Sequence, residues 1–514
     1  MNKMSAKKWL SLVLAVLMLA SVTVAAASCA NSDDQPSNIP VDTTTAVPAD
    51  GDNAPADTTA SQAADTTTEV LVEDDLPELN FNNTTFHFLA WKQGVMEYFA
   101  ADQTGDAVND AIYYRNLEVE NRLSVKLEYT EIKGNSSAFR DYCQTVMTAV
   151  NAGDNSYDAL ACYLRSAGVL SLQHALVDLL EVEHINFDQP WWPSSLTELN
   201  TIDDKLYFMS GDIATSLLYQ MMFVVYNNDL SEAQGLTNPQ EIVLDGKWTQ
   251  DYMFSLAANI YADLDGSGDK SEGDRYGLFA YQHPNLDIFY MGADMHYLEP
   301  TASGELALSD DILSEKSYAI IDKLIALIYR SNDGYYTHKL SDSSTLMYGN
   351  SLLYNTTGQS LAQVFYNSDM NYSILPAPKY DEAQEKYLTP VAFTHSMYCI
   401  PISARDADMA GAVLECLASE SYRTVTPALF ESSFKYKYSK GEADSQIFEL
   451  IRSGVVFDIG RPFFDELGGD DSSPIRIWRK QVETGSNFLS STSKTYTKTW
   501  DKALKSINSS LVGN

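Results

Sequence analysis

Between Asp204 and Leu230 two short apolar runs, Leu206-Tyr207-Phe208-Met209 and Met221-Met222-Phe223-Val224-Val225-Tyr226, flank the turn residues Ser210-Gly211-Asp212. Both runs are rich in aromatic or β-branched side chains and short enough to be buried strands. The turn between them lets the chain leave one sheet and enter another. A chain of 514 residues is long enough for two or three domains. The turn permits a change of sheet near Gly211 without proving one, and such a passage would constrain every other segment.

The segments before it alternate between two periods. Thr85–Trp91 reads as a strand, and Gly105-Asp106 opens a helix with Val108, Ile112, Val119 and Leu123 on one face. Ser124–Tyr129 alternates as a strand, Ala138–Asn151 is helical, and Tyr157–Tyr163 is again a strand. Strand, helix, strand predicts an α/β lobe, with the loop Leu164–Gly168 at the carboxyl end of its strand, where open α/β sheets bind ligands. Trp191 and Trp192 lie between Pro190 and Pro193, so at least one is expected near the surface. Beyond Leu230 the alternation continues through helix Gln250–Tyr261, strand Tyr276–Tyr281, helix Ile312–Tyr329 and strand Thr345–Tyr354. Asn355-Thr356-Thr357-Gly358 reads as a strand-to-helix turn, Val391–Ile400 as a returning strand and Ala407–Leu417 as a helix.

Asp263–Asp274 has the spacing of a calcium loop. Asp263, Asp265 and Ser267 occupy positions one, three and five, Gly268 the sharp turn, Asp269 offers its carbonyl, and Asp274 closes the ring. Ca²⁺ takes six to eight oxygens, and short carboxylates at every second residue deliver them around one point. Ser267 in place of a carboxylate and Asp274 in place of glutamate depart from the pattern. The strand after the loop excludes a paired EF-hand sensor. The alternatives are a structural Ca²⁺ and a solvated acidic turn without metal.

The formal charge, 34 − 70 = −36, argues against nucleic acid or an anionic membrane surface as the main partner. Lys3, Lys7 and Lys8 precede the apolar run Trp9–Ala20, and Ala25-Ala26-Ala27-Ser28 lead into Cys29, which together read as an export signal over residues 1–29. The end of that signal resembles a bacterial lipobox, which implies lipidation at Cys29; ordinary cleavage with secretion is the alternative. Residues 30–78, rich in Thr, Ala and Asp over most of that length, read as a disordered tether with a typical span of roughly 35–40 Å. Cys143, Cys162, Cys399 and Cys416 lie in strand-like or helix-like runs and are expected as buried free thiols.

Four stretches carry a family resemblance. GDAVNDAIYYRNLEVENRLSVK at Gly105–Lys126, DGKWT at Asp245–Thr249, the proline-rich run Ile374–Asp381 and KYKYSKGEADSQIFELIRSGVVFDIG at Lys435–Gly460 resemble a lipoprotein branch of the extracellular solute-binding proteins of carbohydrate ABC importers, family 1-like. The resemblance runs from Leu79 to the C-terminus. It implies a two-lobed, periplasmic-binding-protein-like (type II) α/β fold with a hinge and an interlobe cleft. Lobe 1 would comprise 79–209 plus about 390–435, and lobe 2 would comprise 210–389 plus about 436–514 with the C-terminal helices. It further implies an extracellular monomer, held to the cell membrane only by the N-terminal lipid, that passes a sugar or oligosaccharide to the importer's membrane subunits. The cleft residues that it implies are Trp91, Tyr163, Arg165, Asp212, Gln282, His283, Asn355 and His395, with Trp191, Trp192 and Trp248 as further candidates.

Nothing in the sequence marks a catalyst. H-E-x-x-H, G-x-S-x-G, P-loop and dinucleotide patterns are absent, and the seven histidines are dispersed. The 31 tyrosines, 7 tryptophans and 20 phenylalanines supply flat rings for pyranoside faces. A secreted carbohydrate-active hydrolase and a peptide-binding receptor of the same architecture are the competing readings.

Overall fold

The computed structural model describes residues 72–93, 96–340, 346, 349–362, 370–430 and 442–512, all within one compact unit, Val70–Asn514. The export signal, Cys29 and residues 30–71 of the tether lie outside the described residues.

Along the chain the principal strands are β1 (Thr84–Lys92), β2 (Val125–Lys133), β3 (Ala159–Tyr163), β4 (Met222–Asn227), β5 (Tyr276–Tyr281), β6 (Gly334–Thr337), β7 (Ser351–Thr357), β8 (Tyr372–Leu375) and β9 (Ser396–Cys399). The helices used below are α1 (Ala107–Leu123), α2 (Phe139–Ala152), α3 (Leu164–Leu172), α4 (Glu315–Ile325), α5 (Ala407–Glu420), α6 (Glu442–Ser453), α7 (Pro474–Glu483) and α8 (Leu489–Leu511). The strands form two separate sheets. The first has the order β9-β3-β1-β2, with β1 parallel to β2 and β3, and β9 antiparallel to β3. The second has the order β8-β4-β7-β5-β6, with β5 parallel to β6 and β7, and β4 antiparallel to both its neighbours.

Local chemistry explains the elements that sequence pattern captures. Asp106 caps α1 by accepting from Asn109 N at 2.9 Å, and Val108, Ile112, Val119 and Leu123 are the buried face. All five residues of β3 and all six of β4 are buried, as expected for strands covered on both faces.

Four local expectations are corrected. Leu206–Met209 is not a strand: Leu206 N donates to Asp178 Oδ1 and its carbonyl accepts from Leu179 N, so only Met209 is left to bridge Tyr398. Leu164–Gly168 is not a loop but the start of α3. Gly168 is needed there because a Cβ would come within 2.3 Å of the Pro462 carbonyl oxygen. Asn355, Thr356 and Thr357 are not a turn but ladder residues opposite Val224, Phe223 and Met222. The returning strand shortens to β9, because Val391 bridges Met221 and Ala392 N donates to Gln220 O, which holds the chain between the sheets.

The two crossings, Gln220–Met221 outward and Val391–Ala392 back, therefore run side by side. A third passage joins them where Thr389–Pro390 pairs in parallel with Val455–Val456. The C-terminal part packs on both halves: Asn508 in α8 bonds Leu306 N and O, and Ser510 Oγ bonds Leu172 O at the end of α3. Cys143, Cys162, Cys399 and Cys416 are buried and free. Among the described residues no helix is long and apolar enough to cross a membrane.

Candidate functional site

β1 and β3 run parallel, and the antiparallel β9 begins with Ser396 opposite Tyr163. Parallel pairing therefore brings Trp91 near the end of β1, Tyr163 at the end of β3 and His395 just before β9 to one edge of the first sheet, where α/β folds bind ligands. Trp91 Nε1 donates to Ser396 Oγ at 2.8 Å, and its ring lies 5.4 Å from that of Tyr163. The Arg165 guanidinium packs over Phe139 at 4.5 Å, Phe464 at 5.3 Å and Tyr163 at 5.9 Å, held by a two-pronged ion pair with Asp465. His395 is buried, its Nδ1 2.7 Å from Ala392 O. Burial, with the Arg461 charge nearby, holds its imidazole down at about 4, against the opposing pull of the Ala392 carbonyl.

On the second sheet Gln282 and His283 follow β5. Gln282 is exposed and has φ +61°, the left-handed region that side chains seldom adopt. The His283 ring sits 5.7 Å from that of His338. Burial and the neighbouring Arg479 and Arg476 push the His283 pKa below its ordinary value. Asn355, in the middle of β7, is fully buried, and neither amide atom has a hydrogen-bond partner among the described residues.

Asp212 stands elsewhere. Its carboxylate accepts from Thr426 Oγ1 at 2.6 Å and Arg452 Nη2 at 3.1 Å, which ties the segment before the first crossing to α6. Burial still raises its pKa despite the arginine.

The tryptophan pair departs most clearly from expectation, since both rings are buried. Trp191 Nε1 donates to Glu415 Oε1 and Trp192 Nε1 to Glu415 Oε2, both at 2.9 Å. One carboxylate satisfies two indoles, so adjacent tryptophans share a single core. Trp248 is also fully buried, with Nε1 donating to Pro376 O at 2.9 Å.

A second group of residues has no sequence motif. Arg479 grips Asp287 through Nε at 2.6 Å and through Nη2, while Arg461 Nη2 lies 3.3 Å from Asp287 Oδ2. All three are buried. Arg461 Nη1 donates to Val391 O on the return crossing, and its guanidinium lies 4.2 Å over the Phe393 ring.

The acidic loop before β5 brings carboxylate oxygens of Asp263, Asp265 and Asp274 within 4.8 Å of one another. That spread fits oxygens arranged around an ion at 2.3–2.6 Å. Gly268 has φ +77°, which permits the sharp turn at its position. Asp274 is fully buried and accepts from Leu264 N and Ser271 N, whereas Asp263 and Asp265 are exposed. Hydrogen bonds from Ser271 and Ser267 lower Asp265 to about 2, so it is ionised under all ordinary conditions. Ser267 Oγ donates to the Asp269 carbonyl at 2.9 Å, which places both expected ligands on the same turn.

No family model and no curated protein matches the chain. Solved structures do match. The galacto-N-biose-/lacto-N-biose I-binding protein of the ABC transporter from Bifidobacterium longum, solved with lacto-N-biose, is 12% identical over 83% of this chain and 98% of its own, with a TM-score of 0.54. The cyclic alpha-maltosyl-1,6-maltose binding protein from Arthrobacter globiformis is 13% identical over 84% and 100%, with a TM-score of 0.53. A sugar transporter protein from Rhizobium etli in an open conformation is 14% identical over 83% and 99%, with a TM-score of 0.50. At this identity the likeness is one of fold: in its two sheets and the crossings between them, the chain has the two-lobed, type II α/β architecture of the sugar-binding substrate-binding proteins of ABC transporters.

Proposed function

We propose that this chain is the extracellular receptor of an ABC importer, capturing a sugar or oligosaccharide between its lobes and delivering it to the membrane subunits without catalysing a reaction. The observation that carries this reading is the meeting of Trp91, Tyr163, Arg165 and His395 at one edge of the first sheet, beside the crossings. Trp91 and Tyr163 are each 2% exposed and Arg165 is held by Asp465, so their ring faces and polar atoms, the combination that a saccharide requires, would have to be uncovered as the lobes open. Of the expected lobes, 79–209 plus about 390–435 and 210–389 plus about 436–514, the first boundary is taken instead at the Gln220–Met221 crossing, with closure about the crossings as the signal that the importer reads. Cys29 would carry the lipid, and the chain would act as a monomer.

A thermal-shift screen of neutral oligosaccharides against oligopeptides tests the reading. At least one oligosaccharide is expected to raise the melting temperature, as mass action requires of any ligand that binds only the folded state. A rise with peptides alone, or hydrolysis of a glycan during incubation, would replace this reading with one of its competitors.

The Asp263–Asp274 loop is proposed as a structural calcium site with Asp263, Asp265, Ser267, Asp269 and Asp274 as ligands. Saturating Ca²⁺, at about 100 times its dissociation constant, should then add about 2.7 kcal/mol of stability over the chelated protein. Asp265→Asn should remove most of that difference. An identical melting curve in EDTA and in millimolar Ca²⁺ would leave the loop as a solvated turn.

A further inference from the structure

Arg461 and His395 come from segments far apart in the chain but are fixed to the same short piece of backbone. Arg461 Nη1 donates to Val391 O, His395 Nδ1 to Ala392 O, and the guanidinium covers the ring of Phe393. Both side chains are almost fully buried, at 3% and 1% exposure. Among the described residues each nevertheless keeps a nitrogen without a protein partner: Nε of Arg461 and Nε2 of His395. Asp287 pairs with Nη2 at 3.3 Å while its two oxygens accept from Arg479, which leaves Nε as the guanidinium nitrogen without a partner. Buried groups left in this state cost about 1–3 kcal/mol each, so their retention on a backbone crossing calls for a partner.

The chemistry of the free atoms is complementary. Among the described residues the partner of His395 Nδ1 is the Ala392 carbonyl oxygen, so Nδ1 carries the proton and Nε2 presents a lone pair. Arg461 can only donate. A group that meets both must accept and donate through one atom, which a hydroxyl does. A carboxylate would set its lone pairs against that of Nε2, and an ammonium would meet the arginine charge.

Building on the saccharide-capture reading above, we propose that Arg461 and His395 hold one hydroxyl of the bound sugar at the foot of the lobe crossings. Arg461 donates to its oxygen and His395 Nε2 accepts its O–H, a pairing that a carboxylate in the same place could not complete.

Titration calorimetry of the mature chain with maltotriose, cellotriose, xylotriose and trigalacturonate tests this. At least one neutral trimer is expected to bind, and trigalacturonate more weakly than that trimer. His395→Phe and Arg461→Met should each weaken the best neutral trimer by about 10-fold to 100-fold, and His395→Gln, which keeps an acceptor, by less than about 5-fold. A second readout needs no folded variant: in ¹⁵N spectra of the wild type, the His395 Nε2 resonance should move when the neutral trimer saturates the site. Neutral binding with both variants within 2-fold of wild type, an unmoved resonance, or tighter binding of trigalacturonate would overturn the inference and leave the saccharide reading standing. Failure of all four trimers to bind would remove that reading and the inference with it.

Discussion

Replacing Asp287 with alanine is expected to cost about 3–5 kcal/mol of unfolding free energy, the loss that follows when a buried ion pair is stripped of one partner. Asp287 is fully buried, and so, within a few per cent, are the two guanidinium groups beside it. Arg479 would lose both its hydrogen bonds to the carboxylate, and Arg461 the anion next to its Nη2. Neither can give up its proton to escape the penalty. Urea unfolding followed by circular dichroism measures the loss. Adding Arg479→Met to Asp287→Ala should recover part of it, because the second change removes one of the stranded charges. A loss below about 1 kcal/mol would mean that water reaches the arginines.

Glu415→Ala should be nearly as damaging, at about 3–5 kcal/mol, since it leaves the indole N–H groups of Trp191 and Trp192 and the Asn186 amide without acceptors in the core. The same carboxylate sets a pH dependence. Burial raises its pKa from the ordinary 4.5 to about 7, against the pull of the Trp192, Asn186 and Trp191 donors, and the Asp74 charge adds to the rise. The folded chain therefore holds a proton that the unfolded chain releases between those values. Stability from this group is fully present below about pH 4.5, declines as pH rises to about 7 and is flat above. The change amounts to roughly 3 kcal/mol across the window. Glu415→Gln should remove that slope. Tryptophan fluorescence during a pH titration reports it directly, because both indoles touch the titrating group; a wild-type signal without a transition between pH 5 and 8 would contradict the account.

The parts of this fold legible in sequence are those that local chemistry determines. The α1 face at Val108, Ile112, Val119 and Leu123, the buried runs of β3 and β4, and the strand after the acidic loop all follow from period and composition. Where expectation failed, a distant group had captured the backbone or side chain. Leu206 spends its backbone on Asp178 and Leu179, and β4 draws Asn355–Thr357 into a ladder from more than 120 residues away.

The candidate site divides in the same way. Trp91, Tyr163 and His395 sit where strand ends must place them, whereas Arg461, Asp287 and Arg479 belong to no motif and meet only through tertiary packing. Glu415 did leave a trace: a lone acid amid Ala-Gly-Ala-Val-Leu and Cys-Leu-Ala has no reason to lie on a buried helix face unless donors wait opposite it.

Closure on a saccharide is the claim on which the functional account depends, and small-angle X-ray scattering tests it most directly. The mature chain is titrated with the neutral oligosaccharide that gives the largest thermal shift. The account predicts a saturable decrease in radius of gyration that follows the binding isotherm. Saturation of binding with an unchanged radius would contradict it.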